Sequence, residues 1–88
     1  MDIDDLYAFV TIVREKSISK ASRTLHLTQP TLTARLKKME RELGVHLLER
    51  SWNGVTLTED GTFFFVSAVK IIREIDDMMT QFRRNNGP

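Results

Sequence analysis

Between Ser17 and Leu36 the chain sets two short helical patterns end to end, with a tight turn between them. Ala21 and Leu25 step by four, and so do Leu32 and Leu36. Those four side chains point inward, while hydroxyls, amides and cations point outward. Ser17 is placed to cap the first helix, which runs to about Leu25, and Thr28 to cap the second. Pro30 falls in the first turn of the second helix, where the backbone donors have no helical partner and proline is tolerated. His26-Leu27-Thr28 forms the turn, with Leu27 plugging the core beneath it. This is the layout of a helix-turn-helix, over about residues 18–37. Such a device pushes the start of its second helix into the DNA major groove.

The flanking segments complete one small domain. Leu6, Phe9, Val10 and Val13 recur at three- and four-residue steps, which predicts an amphipathic helix from about Ile3 to Glu15 with Asp2 or Asp4 as its cap. In the second helix of the motif, Leu32, Leu36, Met39 and Leu43 form the buried stripe, and Gly44 closes it as a left-handed cap. Val45–Glu49 and Val55–Thr58 flank Asn53-Gly54, a hairpin signal. A two-stranded hairpin in that place is the wing of a winged helix-turn-helix. Trp52 near its tip is placed either to stack on a sugar or base or to pack against the domain, and packing is the favoured expectation.

A long helix follows from about Thr58 to Arg84, and Asn85-Asn86-Gly87-Pro88 reads as a helix stop. Phe64, Ala68, Ile71, Ile75, Met78 and Phe82 step by four, three, four, three and four, an unbroken heptad seam. A second stripe, Phe65, Val69, Ile72 and Met79, widens the apolar face. The preceding residues are too few to cover a helix of that length. Part of the seam is therefore expected on its own domain and the rest, written as a dimer interface of Phe64, Ala68, Ile71, Ile75, Met78 and Phe82, against a second copy. The fold expected is mainly α: three helices and a two-stranded wing over 1–58, then a dimerisation linker helix over 59–88.

Charge points the same way. The net charge is only +1. From Arg14 to Lys38, however, seven cations (Arg14, Lys16, Lys20, Arg23, Arg35, Lys37, Lys38) face Glu15 alone, so that window carries +6. A local basic patch is the footprint that phosphate binding needs. Gln29 is a bidentate partner for adenine, and the Pro30 ring and the Thr31 and Thr33 methyls are contacts for thymine methyls. Ala34 permits close approach. The Thr28 and Thr31 hydroxyls suit phosphate oxygens, as do Lys37 and Lys38 further along. Arg50 and Asn53 on the wing reach a flanking phosphate or the minor groove.

Other classes find little footing. There is no cysteine, hence no disulfide and no thiolate metal site. His26 and His46 are the only histidines, and neither has metal-ligand spacing. No glycine-rich phosphate loop and no catalytic constellation occurs, so no enzyme, cofactor or metal is expected. Glu40 and Glu42 are expected to pair with Lys37, Lys38 or Arg41, and Asp76-Asp77 to face solvent. The acidic start, Met1-Asp2-Ile3-Asp4-Asp5, is unlike a signal peptide, and no apolar run reaches the roughly 20 residues of a membrane span. A cytoplasmic location is expected.

The run Leu6, Phe9, Ser17, Ala21, Leu25, Thr28-Gln29-Pro30, Leu32-Thr33, Leu36, Glu40, Leu43-Gly44, Leu47, Arg50, Val55, Leu57-Thr58 and Gly61 resembles the N-terminal DNA-binding domain of the LysR-type transcriptional regulators of bacteria. The resemblance covers about residues 2–61, and the long helix is similar to the family's linker helix. Threonine stands at 28 and 33 where the family favours serine, and Ala34 and Asn53 where it favours basic residues. The resemblance implies a sequence-specific regulator of transcription that binds double-stranded DNA. It implies a homodimer through antiparallel linker helices and operators of two half-sites. It also implies a small-molecule effector that acts only through a domain not present in this chain. The alternative is a winged helix serving protein interaction or dimerisation without specific DNA binding.

Overall fold

The computed structural model describes residues 1–86, with elements in the order α1 (Ile3–Glu15), α2 (Ile18–Thr24), α3 (Gln29–Leu43), β1 (Leu48–Ser51), β2 (Gly54–Leu57) and α4 (Glu59–Asn86). It is mainly helical, with one two-stranded antiparallel sheet. The stop read at 85–88 falls partly on Gly87 and Pro88, which lie outside the described residues; α4 continues through Asn86.

Each helix of the motif starts where its cap allows. Asp2 and Asp5 form a capping box at the start of α1, each carboxylate accepting the other's backbone N–H at 3.0 Å. Ser17 accepts from Lys20 N–H and Thr28 from Thr31 N–H. Lys16, at φ 56°, and His26, at φ 58°, turn the chain between α1 and α2 and between α2 and α3. Both adopt a left-handed backbone that side chains other than glycine enter rarely.

The core gathers Phe9 and Ile12 of α1, Ile18 and Ala21 of α2, Leu32, Leu36 and Met39 of α3, and Leu47 just before the wing. The small Ala21 and Ser22 let α2 settle against its neighbours. Leu43 departs from the expected stripe: it is 40% exposed, in the last turn beyond Met39, the last α3 side chain that the core encloses.

Two polar devices tie the layers. Asp5 is buried and receives Arg35 of α3 at 3.3 Å, so α1 and α3 are pinned by a charge pair. A buried carboxylate requires such a partner. Glu40 turns its carboxylate to the Leu47 N–H at 2.6 Å and the Leu48 N–H at 3.4 Å. Glu42 instead pairs with the Met1 amine at 2.8 Å, and that hydrogen bond raises the amine pKa and lowers that of Glu42. Neither carboxylate takes the lysine or arginine partners expected from the sequence.

The wing is shorter than read, and its turn is displaced. Leu48 pairs with Leu57 and Ser51 with Gly54, so the two turn residues are Trp52 and Asn53 rather than Asn53-Gly54. Neither has a positive φ, so this is not the mirror-image turn that Asn-Gly favours. Gly54, at φ 130°, serves a close approach instead: a Cβ there would stand 2.6 Å from the Lys16 carbonyl oxygen. That carbonyl also accepts the Val55 N–H at 3.4 Å, which fastens the hairpin to the α1–α2 junction. Trp52, expected against the domain, is 97% exposed, because a two-residue tip has nothing beneath it.

The core does not end at residue 58. Thr58 caps α4 by accepting the Gly61 N–H at 2.9 Å, while its hydroxyl donates to the His46 carbonyl at 2.6 Å. Phe64 meets Phe9 edge-on, with ring centroids 5.1 Å apart and planes at 87°. Such a pair contributes about 0.5–1.5 kcal/mol beyond its buried area. Ala68 is 1% exposed. One member of the expected dimer seam is therefore corrected: Ala68 has no surface left for a second chain, while Phe64 packs on its own domain and stays half-buried. Ile71, Met78 and Phe82 are exposed and Ile75 half-buried, along the stretch that carries the molecule to 49 Å in length against 25 and 21 Å across.

Candidate nucleic-acid interface

The outer face of α3 is built by its inner one. With Leu32, Leu36 and Met39 anchored, the helical period turns Gln29, Pro30, Thr33, Ala34 and Lys37 outward. The wing brings a sixth residue from twenty positions on. Gln29, Pro30, Thr33, Ala34, Lys37 and Arg50 line one open hollow of about 490 Å³. Its lining combines small side chains, an amide at the helix start, and two cations, Lys37 and Arg50.

Four other residues picked from the sequence lie outside that hollow. Thr28 is occupied as the cap of α3, and its hydroxyl donates to Thr31 Oγ1 at 2.8 Å. Thr31 and Lys38 lie around the helix, in a smaller depression with Asp2, Asp5, Ala34, Arg35 and Arg41. Asn53 stands at the wing tip, where its Oδ1 accepts the Ser51 hydroxyl at 2.6 Å. The structure thus brings together six of the ten proposed contacts and distributes the rest along the flanks.

The basic window also thins when folded. Arg35 is paired with Asp5 at 3.3 Å, whereas Arg23, bonded only to the neutral Ser19 hydroxyl, stays exposed and charged. The helical period places Arg41 on the outward side of α3 with Lys37 and Lys38, and the sequence also offers it as a partner for glutamate. It is exposed beside Lys38, and its place on α3, three residues after Lys38, is the signal that adds it to this basic flank. Among the described residues no group of three or more His, Asp or Glu side chains is arranged to hold a metal ion. None of their helices is long and apolar enough to cross a membrane.

Three helices, a hairpin laid beside the outer face of the third, and a helical arm define a winged helix-turn-helix domain with an extended C-terminal helix. Residues 3–62 match the family described as bacterial regulatory helix-turn-helix protein, lysR family. The chain belongs to that family.

Relatives agree over its whole length. It is 37% identical over 84 residues to the HTH-type transcriptional regulator BenM of Acinetobacter baylyi, a match that spans 96% of this chain and 28% of the relative. Over a quarter of such relatives' length is thus represented here. The chain is also similar to the DNA-binding domain of BenM as solved in complex with catB site 1 DNA. That match has a TM-score of 0.93 and 35% identity, covering 100% of this chain and 99% of that one. The DNA-binding domain of CbnR in its DNA complex gives a TM-score of 0.87 and 30% identity, over 97% and 98% of the two chains.

Proposed function

We propose that this chain is the DNA-binding module of a bacterial transcriptional regulator that works in the cytoplasm, reads double-stranded DNA through α3 and its wing, and acts without catalysis. The observation that carries this reading is the hollow shared by Gln29, Pro30, Thr33, Ala34, Lys37 and Arg50. Its polar and methyl groups suit base edges, and its cations sit where phosphates flank a groove. BenM and CbnR, whose DNA-binding domains have been solved on DNA, share its fold over nearly the whole chain.

The module works as a pair. Ile71, Ile75, Met78 and Phe82 follow one seam beyond the core. Fully burying such side chains is worth about 1.5–3 kcal/mol each. A second copy laid antiparallel covers them twice over and fixes the distance between two α3 helices, so that both enter major grooves on one face of the duplex. Any small-molecule effector would act through a further domain of a longer protein.

Selection of bound sites from a random DNA pool, followed by titration at several salt concentrations, tests the reading. It expects an enriched two-half-site sequence and an affinity that falls steeply with salt. A chain that enriches no sequence and shows no salt-dependent affinity is a protein-interaction module instead.

A further inference from the structure

We propose that Trp52 is a DNA contact of this module, seating its indole against the deoxyribose walls of the minor groove beside the segment that α3 enters. The inference rests on the DNA-binding reading and adds to it a contact that lies outside the hollow.

Three observations converge on this residue. The first is exposure. Trp52 is 97% exposed, the most exposed of the chain's large hydrophobic side chains, and it is the chain's single tryptophan. An indole offers about 150–250 Å² of surface for burial, and here the domain covers almost none of it.

The second is that the hairpin holds without it. The Ser51 hydroxyl closes the turn on Asn53 Oδ1, and the Gly54 backbone lies on the Lys16 carbonyl. The indole enters neither contact. The hairpin is nevertheless anchored at its base, through Val55 N–H and the α1–α2 junction, so the turn that bears the ring is tied to the domain.

The third is direction and company. Arg50 lines the α3 hollow, and Trp52 follows two residues on, just past the last paired residues. β1 ends at Ser51, so the wing carries first a cation at the hollow and then, in the turn beyond the strand, an apolar plate further out. Ser51 and Asn53 beside the indole are polar. One flat ring between polar neighbours, next to a cation, is too small a patch for a protein partner and lacks the apolar company of a membrane anchor. It fits a narrow cleft with anionic rims and apolar sugar walls, which describes the minor groove.

The single tryptophan makes the test specific to this residue. The full chain is titrated with a duplex selected from a random pool, its binding followed independently through the anisotropy of a fluorescein label on the DNA. In a parallel, unlabelled titration, tryptophan emission and its quenching by acrylamide are read. Binding should reduce acrylamide access several-fold. A duplex shortened so that it ends at the segment entered by α3 should bind more weakly and leave the quenching at its free value. Trp52→Ala should keep the melting temperature and lose about tenfold in affinity for the long duplex, as loss of one buried apolar side chain does. Its affinity for the short duplex should be unchanged.

Saturated anisotropy with undiminished acrylamide quenching overturns the contact and leaves the DNA-binding reading standing. So does equal loss of affinity for both duplexes on Trp52→Ala. Absence of an anisotropy change with any duplex overturns both.

Discussion

The first turns of α4, through Ala68, and the stretch from Ile71 to Phe82 carry one unbroken heptad spacing into different surroundings. Phe64 closes on Phe9 and Ala68 is enclosed by its own chain, whereas Met78 and Phe82 stand in water. The same pattern thus completes a core in one half and leaves a bare edge in the other. A seam records that a helix needs a partner; the number of elements folded beside it decides whether that partner is its own domain.

The comparison breaks first at the root of α4. A Cβ on Gly61 would stand 1.9 Å from the Leu47 carbonyl oxygen, a backbone atom that cannot swing aside. Gly61→Ala should therefore destabilise the fold by about 3 kcal/mol or more, within the range of severe steric change. Urea midpoints should fall by the same amount at every protein concentration. A midpoint that recovers at high concentration would mean that the near half, too, depends on a second copy.

In the far half the expected loss is of assembly. Ile75→Asp should leave a folded monomer in sedimentation. It should lower affinity for a two-half-site duplex by about a hundredfold, the lower range for losing a linked second site. Affinity for a single half-site should hold. If the unmutated chain already sediments as a monomer at tens of micromolar, roughly the range of weak association, the bare seam has no second copy to meet.

Substitutions on α3 sharpen the comparison by leaving both halves of α4 intact. Gln29→Ala should cost about 1–3 kcal/mol of preference for the selected site over random DNA. The dimer should be unaffected, and nonspecific binding kept. Unchanged preference would remove Gln29 from base reading. Lys38→Ala should act more gently, weakening all sequences alike and flattening the salt dependence by about one unit. Because Lys38 lies outside the hollow with Arg50, an unchanged slope would confine phosphate contact to the wing side of α3.

How much of this was legible in the sequence depended on the range of the interaction. The bounds of α1 and α3 follow from local signals, a cap at one end and a 3.6-residue period between, and the structure places them within a residue of the reading. The wing was legible as a hairpin but not in register. Asn53-Gly54 looks like the turn, yet the freedom of Gly54 serves a contact with Lys16, thirty-eight residues back. Arg35 looks like one more cation for phosphate until Asp5, thirty residues away, claims it. Ala68 and Ile71 are indistinguishable in the seam, since spacing says nothing about which chain covers a side chain. Within the candidate site, the α3 residues could be placed by period alone, whereas the membership of Arg50 depends on a tertiary fold-back.

Gly61 has a mechanical side. A helix gripped at one end is a lever, and the grip here runs from the Thr58 hydroxyl and the bare Cα of Gly61 against the Leu47 carbonyl to Phe64 on Phe9 and the enclosed Ala68. From Ala68 to Phe82 the free arm is about 21 Å at 1.5 Å per residue, so each degree of tilt at the fulcrum moves the far end by about 0.4 Å. In a paired arrangement the motion runs both ways. A force applied to the arm bears on the Leu47 carbonyl that Gly61 abuts, one residue before the strand that carries Arg50.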